Sequence, residues 1–429
     1  LAAGLNARID AILRTEVAAN TPGAAVAVIR DGAFLHRAAY GLANLEHAVP
    51  LRPDAVFRIA SLTKQFTAAA VMRLVERGAI VLDAPIETYL PDWPTRGRVT
   101  TVRRLLNHTS GVWRHDTMGI DRTRRPNLPI DEIIQMIFER PFEFEPGARY
   151  RYNNSGYLLL GAIVAAVSGR AYEAFLREDM FEPLGMRQTL LLSHEEVVPN
   201  RAHGYVRGRR GFLNARPDAA NFSYAAGGLG STLDDLHLWD RAVRDGRVVS
   251  RETLATMMAP TPLNDGSTFP YGFGWGFATY EGRRIYHHTG GVSGFACHML
   301  HLRDEDLTVI VLANLYLFPF DRVMRGVLRA ALGLEPVVAA SVAVGAAALE
   351  RCAGRYQGDG YERAFHAVEG GLATRAGGPA ELLPVGDGRF READDPEIEF
   401  RFADANGERF TRLVCTSPLW PDEALIRIA

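Results

Sequence analysis

Lysine is almost missing from this chain. Its 429 residues include 48 lysines and arginines together, and arginine fills every one of those positions except Lys64. Cysteine is nearly as scarce. Cys297, Cys352 and Cys415 stand far apart, with neither the density of a disulfide framework nor the spacing of a structural zinc site. Neither sign of charge prevails: the formal net charge is −2, so the electrostatic footprint of a nucleic-acid binder is missing. Long apolar runs are missing too. The longest, Pro336 to Leu349, is mostly alanine and valine and too short to span a bilayer. No membrane span, nucleic-acid partner, metal or cofactor is expected.

What remains is globular in texture, 47% hydrophobic and 23% charged, and long enough for two domains. The chain opens on Leu1 rather than methionine. A periplasmic or secreted protein is expected if an export signal has been removed, and a cytoplasmic one otherwise.

Apolar spacing predicts a helix over 5–19, then a strand over 24–29, a turn at Arg30-Asp31-Gly32 and a partner strand over 33–40. A helix is predicted from Ser61 to Gly78, apolar nearly all round and so buried. Residues 80–220 read as helical and loop-rich, with a long loop over 197–223 covering the site. Arg207, Arg209 and Arg210 in that loop read as solvated, the alternative being a contact to a substrate carboxylate. Helices return over 232–245 and 250–258, and strands over 271–277, 284–288, 296–302 and 308–313. Strands at both ends of the segment predict one antiparallel sheet flanked by helices, an α+β domain over 1–335. A linker over 336–349 leads to a small all-β barrel or sandwich over 350–429. Its short strands are separated by Gly370-Gly371, Gly377-Gly378, Asp387-Gly388 and Asn406-Gly407.

Three constellations carry chemistry. In the first, Ser61 and Lys64 lie one helical turn apart on one face, where the amine can take the hydroxyl's proton. Arginine stays protonated and cannot do this, so a chain that uses arginine elsewhere keeps its lysine where a base is needed. In the second, Tyr152-Asn153-Asn154, a phenol and a carboxamide share a tight loop. A phenolate beside an ammonium would have a lowered pKa and could relay a proton, and the amide could hold an acyl carbonyl and tether the lysine. The third is His288-Thr289-Gly290-Gly291: a donor side chain, then small residues along which a substrate could lie, then an amide that could face an oxyanion. Taken singly, the second also reads as a polar turn before a helix and the third as a hairpin end.

Together and in this order, Ser61-x-x-Lys64, Tyr152-x-Asn154 and His288-Thr289-Gly290 resemble the penicillin-recognising serine hydrolases. That group includes class C β-lactamases, DD-peptidases, family VIII esterases and D-aminopeptidases. The segments Leu106–Gly111, Phe144–Gly147, Ala226–Leu229 and Tyr271–Trp275 are also similar to that family, over about residues 10–333. The resemblance implies that Ser61 becomes acylated and that Lys64 and Tyr152 share the proton traffic, either being the base. Asn154 would orient substrate, and the amides of Ser61 and Gly291 would form the oxyanion hole. β-Lactamases and DD-peptidases usually carry lysine where this chain has His288, so carboxylate-bearing substrates are disfavoured. The resemblance therefore implies an acyl-enzyme serine hydrolase of amides or esters, with D-residue peptides leading. The alternative is a penicillin-binding protein with little turnover whose C-terminal domain, lipocalin-like in some relatives, serves for binding or oligomer formation.

Overall fold

A computed structural model describes residues 2–117, 128–193, 195–216, 220–338, 341–358, 362–375, 379, 381–406 and 409–428. Two compact units emerge: Leu1–Phe277 with Arg284–Ala331, and Ala278–Arg283 with Leu332–Ala429.

The first unit is built on one antiparallel sheet, which lies within that unit except for Ala278–Tyr280 and Arg283. Its strands are β1 (Ala24–Arg30), β2 (Ala33–Tyr40), β3 (Gly276–Tyr280), β4 (Arg283–Val292), β5 (Phe295–Leu302) and β6 (Leu307–Ala313). They lie in the order β3-β4-β5-β6-β1-β2. The early hairpin thus joins the late strands, with Ala27 of β1 opposite both Ile310 and Arg37. Strands β5 and β6 are buried along their whole length, which is why Leu307–Ala313 reads as an unbroken apolar run rather than an alternating one. The N-terminal helix α1 (Ala2–Glu16) packs on a late helix, Phe320–Ala331, which in turn covers β5 and β6.

Helix α2 (Thr63–Glu76) is buried on nearly every side, as its all-round apolar character predicts. It begins two residues later than expected, because Ala60–Leu62 form a 3-10 turn that carries Ser61 into it. Helix α3 (Asn154–Ser168) packs against α2.

Two expectations for this unit need correction. The stretch 271–277 is not a strand: β3 starts only at Gly276, because Gly272 and Gly274 bend the chain tightly. A Cβ at Gly272 would sit 2.1 Å from the Met257 carbonyl oxygen, and one at Gly274 2.7 Å from the Lys64 carbonyl oxygen. The long loop over 197–223 holds structure of its own, a hairpin of Tyr205–Gly208 with Gly211–Asn214 and a helix starting at Ala220. The hairpin's two-residue turn, Arg209-Arg210, carries none of the Asn-Gly or Gly-X pairs that mark a hairpin in sequence. Arg207, Arg209 and Arg210 are exposed, as a solvated reading requires.

In the second unit, helix Ala346–Cys352 precedes eight strands that close into a barrel, from Gly354–Gln357 round to Trp420–Arg427. The three shortest, Gly354–Gln357, Gly371–Ala373 and Arg389–Glu392, are too brief for the sequence pattern to reveal. The expected turn at Gly377-Gly378, and Gly407 of the turn at Asn406-Gly407, lie outside the described residues. The barrel's centre is occupied by rings: Phe402 meets Phe390 at 5.4 Å, Tyr356 at 5.5 Å and Phe365 at 6.0 Å between centroids. Its interior is therefore a packed core rather than a ligand-holding cup.

Candidate active site

Ser61 stands at the N-terminal end of α2, on a backbone forced into shape just before it. Ala60 has φ of 45°, a left-handed conformation that costs a non-glycine residue free energy. β4 comes right up against this turn. A Cβ on Gly290 would lie 2.6 Å from Cys297 Sγ, 2.8 Å from the Ile59 carbonyl oxygen and 3.0 Å from Ala60 Cβ. Only glycine fits, and that close approach sets Gly290 and Gly291 beside the serine.

Lys64 is fully buried, and three groups surround its amine. Asn154 Oδ1 lies 2.8 Å away, the Ala226 carbonyl oxygen 2.7 Å and Ser61 Oγ 3.2 Å. Burial lowers the Lys64 pKa well below its ordinary value, and the charge of Asp116 opposes only part of this. The Asn154 and Ala226 oxygens can only accept. A neutral amine spends both its N–H bonds on them, and its lone pair is left facing the serine hydroxyl.

Each of the two acceptors is held from behind. Asn154 Nδ2 donates to Asp116 Oδ2 at 2.8 Å, which fixes the amide with its oxygen toward the lysine. The Ala226 carbonyl is aimed by a strained turn at Tyr224, φ 29° and ψ −124°, whose neighbour Ala225 accepts from the Thr67 hydroxyl of α2 at 2.6 Å.

The Tyr152–Asn154 segment is pinned by the loop after Leu106. His108 accepts the Asn153 N–H on Nδ1 at 3.1 Å, and its carbonyl accepts the Arg151 N–H at 2.9 Å. Asn153 then caps α3 by accepting from Gly156 N–H. The Tyr152 ring lies 4.7 Å from Lys64 Nζ. Its pKa departs from the expected direction. Burial pushes the phenol well above its usual range, and the nearby Ser61 hydroxyl offsets part of that rise without reaching hydrogen-bond geometry. Tyr152 therefore keeps its proton at neutral pH.

His288 also differs from expectation, since neither of its nitrogens is offered to a ligand. Nδ1–H donates to the Thr289 carbonyl at 2.6 Å, so Nε2 carries the lone pair and accepts from the Tyr271 hydroxyl at 2.9 Å. Tyr271 in turn accepts from His108 Nε2–H at 3.3 Å, and His108 Nδ1 is already taken by a backbone N–H. Backbone groups at both ends thus fix both histidines as neutral tautomers. Burial is the main cause that pushes His288 down to about 3 and His108 well below its ordinary value.

A stability consequence follows from these histidines, joined by His287, which burial also lowers. In the unfolded chain each protonates near 6.5, while in the folded chain His288 does so only near 3. Stability present above pH 6.5 is lost as pH falls between those values, because the unfolded state binds protons the folded state refuses. Urea midpoints should fall steadily from pH 7 to pH 4, and a His288→Gln variant should show a shallower slope. An unchanged slope would contradict the burial of neutral His288.

The structure brings Ser61, Lys64, Tyr152 and Asn154 together and sets the His288–Gly291 strand against them. Asp116 went unnoticed in the sequence, where a lone aspartate in an irregular stretch carries no signal. Tyr271, His108 and Ala226 stood out there only as parts of supporting segments.

A sheet of this order, with a serine–lysine pair at the head of its buried helix, is the architecture of penicillin-recognising serine proteins. The chain belongs to the Beta-lactamase family, whose model matches residues 9–333. It is 31% identical to a D-aminopeptidase of Gluconobacter oxydans over 304 residues, 68% of this chain and 56% of that protein. It is also 31% identical to penicillin-binding protein 4* of Bacillus subtilis over 307 residues, 67% of each. The crystal structure of D-amino acid amidase from Ochrobactrum anthropi SV3 complexed with D-phenylalanine is 28% identical, with a TM-score of 0.69 over 77% of this chain and 99% of that one. Among the described residues no single helix is long and apolar enough to cross a membrane.

Proposed function

We propose that this chain is a serine hydrolase that cleaves D-amino acid amides and short D-residue peptides through an acyl-enzyme. One observation carries the reading: the only lysine is wholly buried with its amine 3.2 Å from Ser61 Oγ. Ser61 gives its proton to the neutral Lys64 amine as its oxygen bonds to the substrate carbonyl carbon. The negative charge that develops on the carbonyl oxygen meets the amides of Ser61, at a helix N-terminus, and Gly291. As the tetrahedral adduct collapses, the C–N bond breaks. The leaving amine takes the Tyr152 hydroxyl proton, and Lys64 returns its own to the phenol oxygen. Water then repeats the sequence on the ester, regenerating Ser61 and releasing the acid. The raised pKa of Tyr152 suits a relay and leaves Lys64 as the base.

Similarity to a D-aminopeptidase and a D-amino acid amidase supports the substrate class. So does charge. A neutral His288, engaged by Tyr271, supplies no cation for the carboxylate of a penicillin or of a D-alanyl-D-alanine terminus, whereas the Asp116 carboxylate, held at the site by Asn154, is the charge that would complement the ammonium of an amino acid amide. Penicillin-binding with weak turnover, the name of the Bacillus relative notwithstanding, is thereby disfavoured. Steady-state assays with D- and L-alanine p-nitroanilide, D-phenylalanine amide and benzylpenicillin decide between them. Turnover of the D-amides is expected, and acylation by penicillin without any amide turnover would reverse the reading.

Asp116→Asn tests the charge argument. Loss of the carboxylate should raise KM for D-phenylalanine amide about tenfold or more. It should also move the acid limb of the kcat/KM profile to lower pH, because Asp116 raises the Lys64 pKa. An unmoved limb would remove Asp116 from the site.

A further inference from the structure

A cavity of about 490 Å³ lies past the catalytic strand, and arginines dominate its charge. Arg58, Arg201 and Arg216 line it against one carboxylate, Glu196, and Ser293 and Phe295 close one side. Arg58 is buried, 2% exposed, three residues before Ser61. Ser293 stands two residues after Gly291 at the tip of the β4–β5 hairpin. The cavity is thus flanked by the chain segments that carry both oxyanion amides.

Its walls are tied in place. Arg201 Nη1 donates to the Ser193 carbonyl at 2.8 Å, and the Ser293 hydroxyl donates to the Arg216 carbonyl at 2.7 Å. Half-burial works against the charge on Arg201, lowering its pKa, a cost that a bound anion would offset. Direction along β4 says which part of a substrate would reach it. The Tyr152 ring lies 6.1 Å from that of His288, so a leaving group protonated by Tyr152 sits on the His288 side of Gly291. The acyl group extends the other way, toward Ser293 and Phe295.

We infer that this cavity is an acyl-side subsite for a carboxylate, so that the preferred substrates carry an acidic group on the acyl half. The inference rests on the hydrolase reading above for its direction along the strand. Arg201 is half-buried and Arg216 exposed at the cavity's lining; a guanidinium there binds a carboxylate through charge-assisted, often bidentate hydrogen bonds, and it discriminates against the isosteric carboxamide.

The experiment compares substrates that differ only in that charge: the α-amides of D-glutamate and D-glutamine, of D-aspartate and D-asparagine, and D-alanine amide N-acylated with succinyl or with succinamoyl. In at least one pair the acid should be preferred about tenfold or more in kcat/KM. That ratio should fall toward one in Arg201→Gln and in Arg216→Gln. Because the ratio is taken within each variant, a general loss of fold or activity cancels. Equal rates within every pair, or a preference that survives both substitutions, would overturn the proposal. Calorimetric titration of Ser61→Ala with the same pairs reads binding without turnover. Absence of hydrolysis by the parent would thus count against the reaction alone, while equal binding of acid and carboxamide would count against the subsite.

Discussion

Ser61→Ala is expected to lower kcat/KM on a D-aminoacyl anilide by about 10^5- to 10^6-fold, the scale on which a covalent nucleophile's removal is felt. Among the described residues, the hydroxyl is the only group at the site placed to bond to a carbonyl carbon while a base takes its proton. Cys297, the nearest thiol to β4's glycines, is no substitute: its Sγ donates to the Ile59 carbonyl at 3.0 Å, and burial pushes its pKa far up. The variant should fold normally. Its lost hydroxyl leaves the Lys64 amine with two of its three partners, and the strained turn at Ala60 is made by backbone rather than by the serine side chain. A fluorophosphonate should add one covalent mass to the parent protein at position 61 and none to the variant. Retention of activity within a hundredfold, or labelling elsewhere, would dismiss Ser61 as the nucleophile.

Much of this site was legible before the structure because it rests on residue identity at short range. Ser61 and Lys64 share a helical turn, Tyr152 and Asn154 share a loop, and the composition itself singled out Lys64. The sheet was legible for a related reason: β1, β5 and β6 bury both faces and so read as apolar runs that only a strand of that length explains. Protonation was not legible. Tyr152 was expected to ionise beside an ammonium, and His288 to offer a donor to substrate. Both expectations pair a residue with its sequence neighbours and leave out the aromatic cluster around them, in which His108 and Tyr271 meet Tyr152 and His288 and are backed by Tyr150 and Tyr157. Desolvation depends on what many distant segments bring to one place, and short-range patterns do not encode it. The same holds for Asp116, which enters only because Asn154 and Lys64 come to it from other elements.

Lys64→Arg is the sharper test, because it keeps the charge type that this chain uses everywhere else. Arginine has no lone pair to offer and stays protonated throughout the accessible pH range. If Lys64 were a mere electrostatic anchor for Asn154 and the Ala226 carbonyl, a guanidinium would serve both acceptors, and activity would survive within about tenfold. If Lys64 is the base, kcat should fall by about 10^2- to 10^4-fold, the usual worth of general-base catalysis, with labelling by a fluorophosphonate slowed in parallel. A guanidinium is also larger and must be buried in a site with no exposure at all, so melting of the variant must be followed alongside the kinetics. The parent's own pH profile separates loss of fold from loss of base. Burial lowers the Lys64 pKa well below 10.5, and the neutral amine is the working form. Activity should therefore rise with pH to a plateau reached well short of pH 10.5, and be lost as pH falls through the folded-state pKa. A profile that climbs only above pH 10 would mean that the amine is charged at rest, and the proton of Ser61 would need another acceptor.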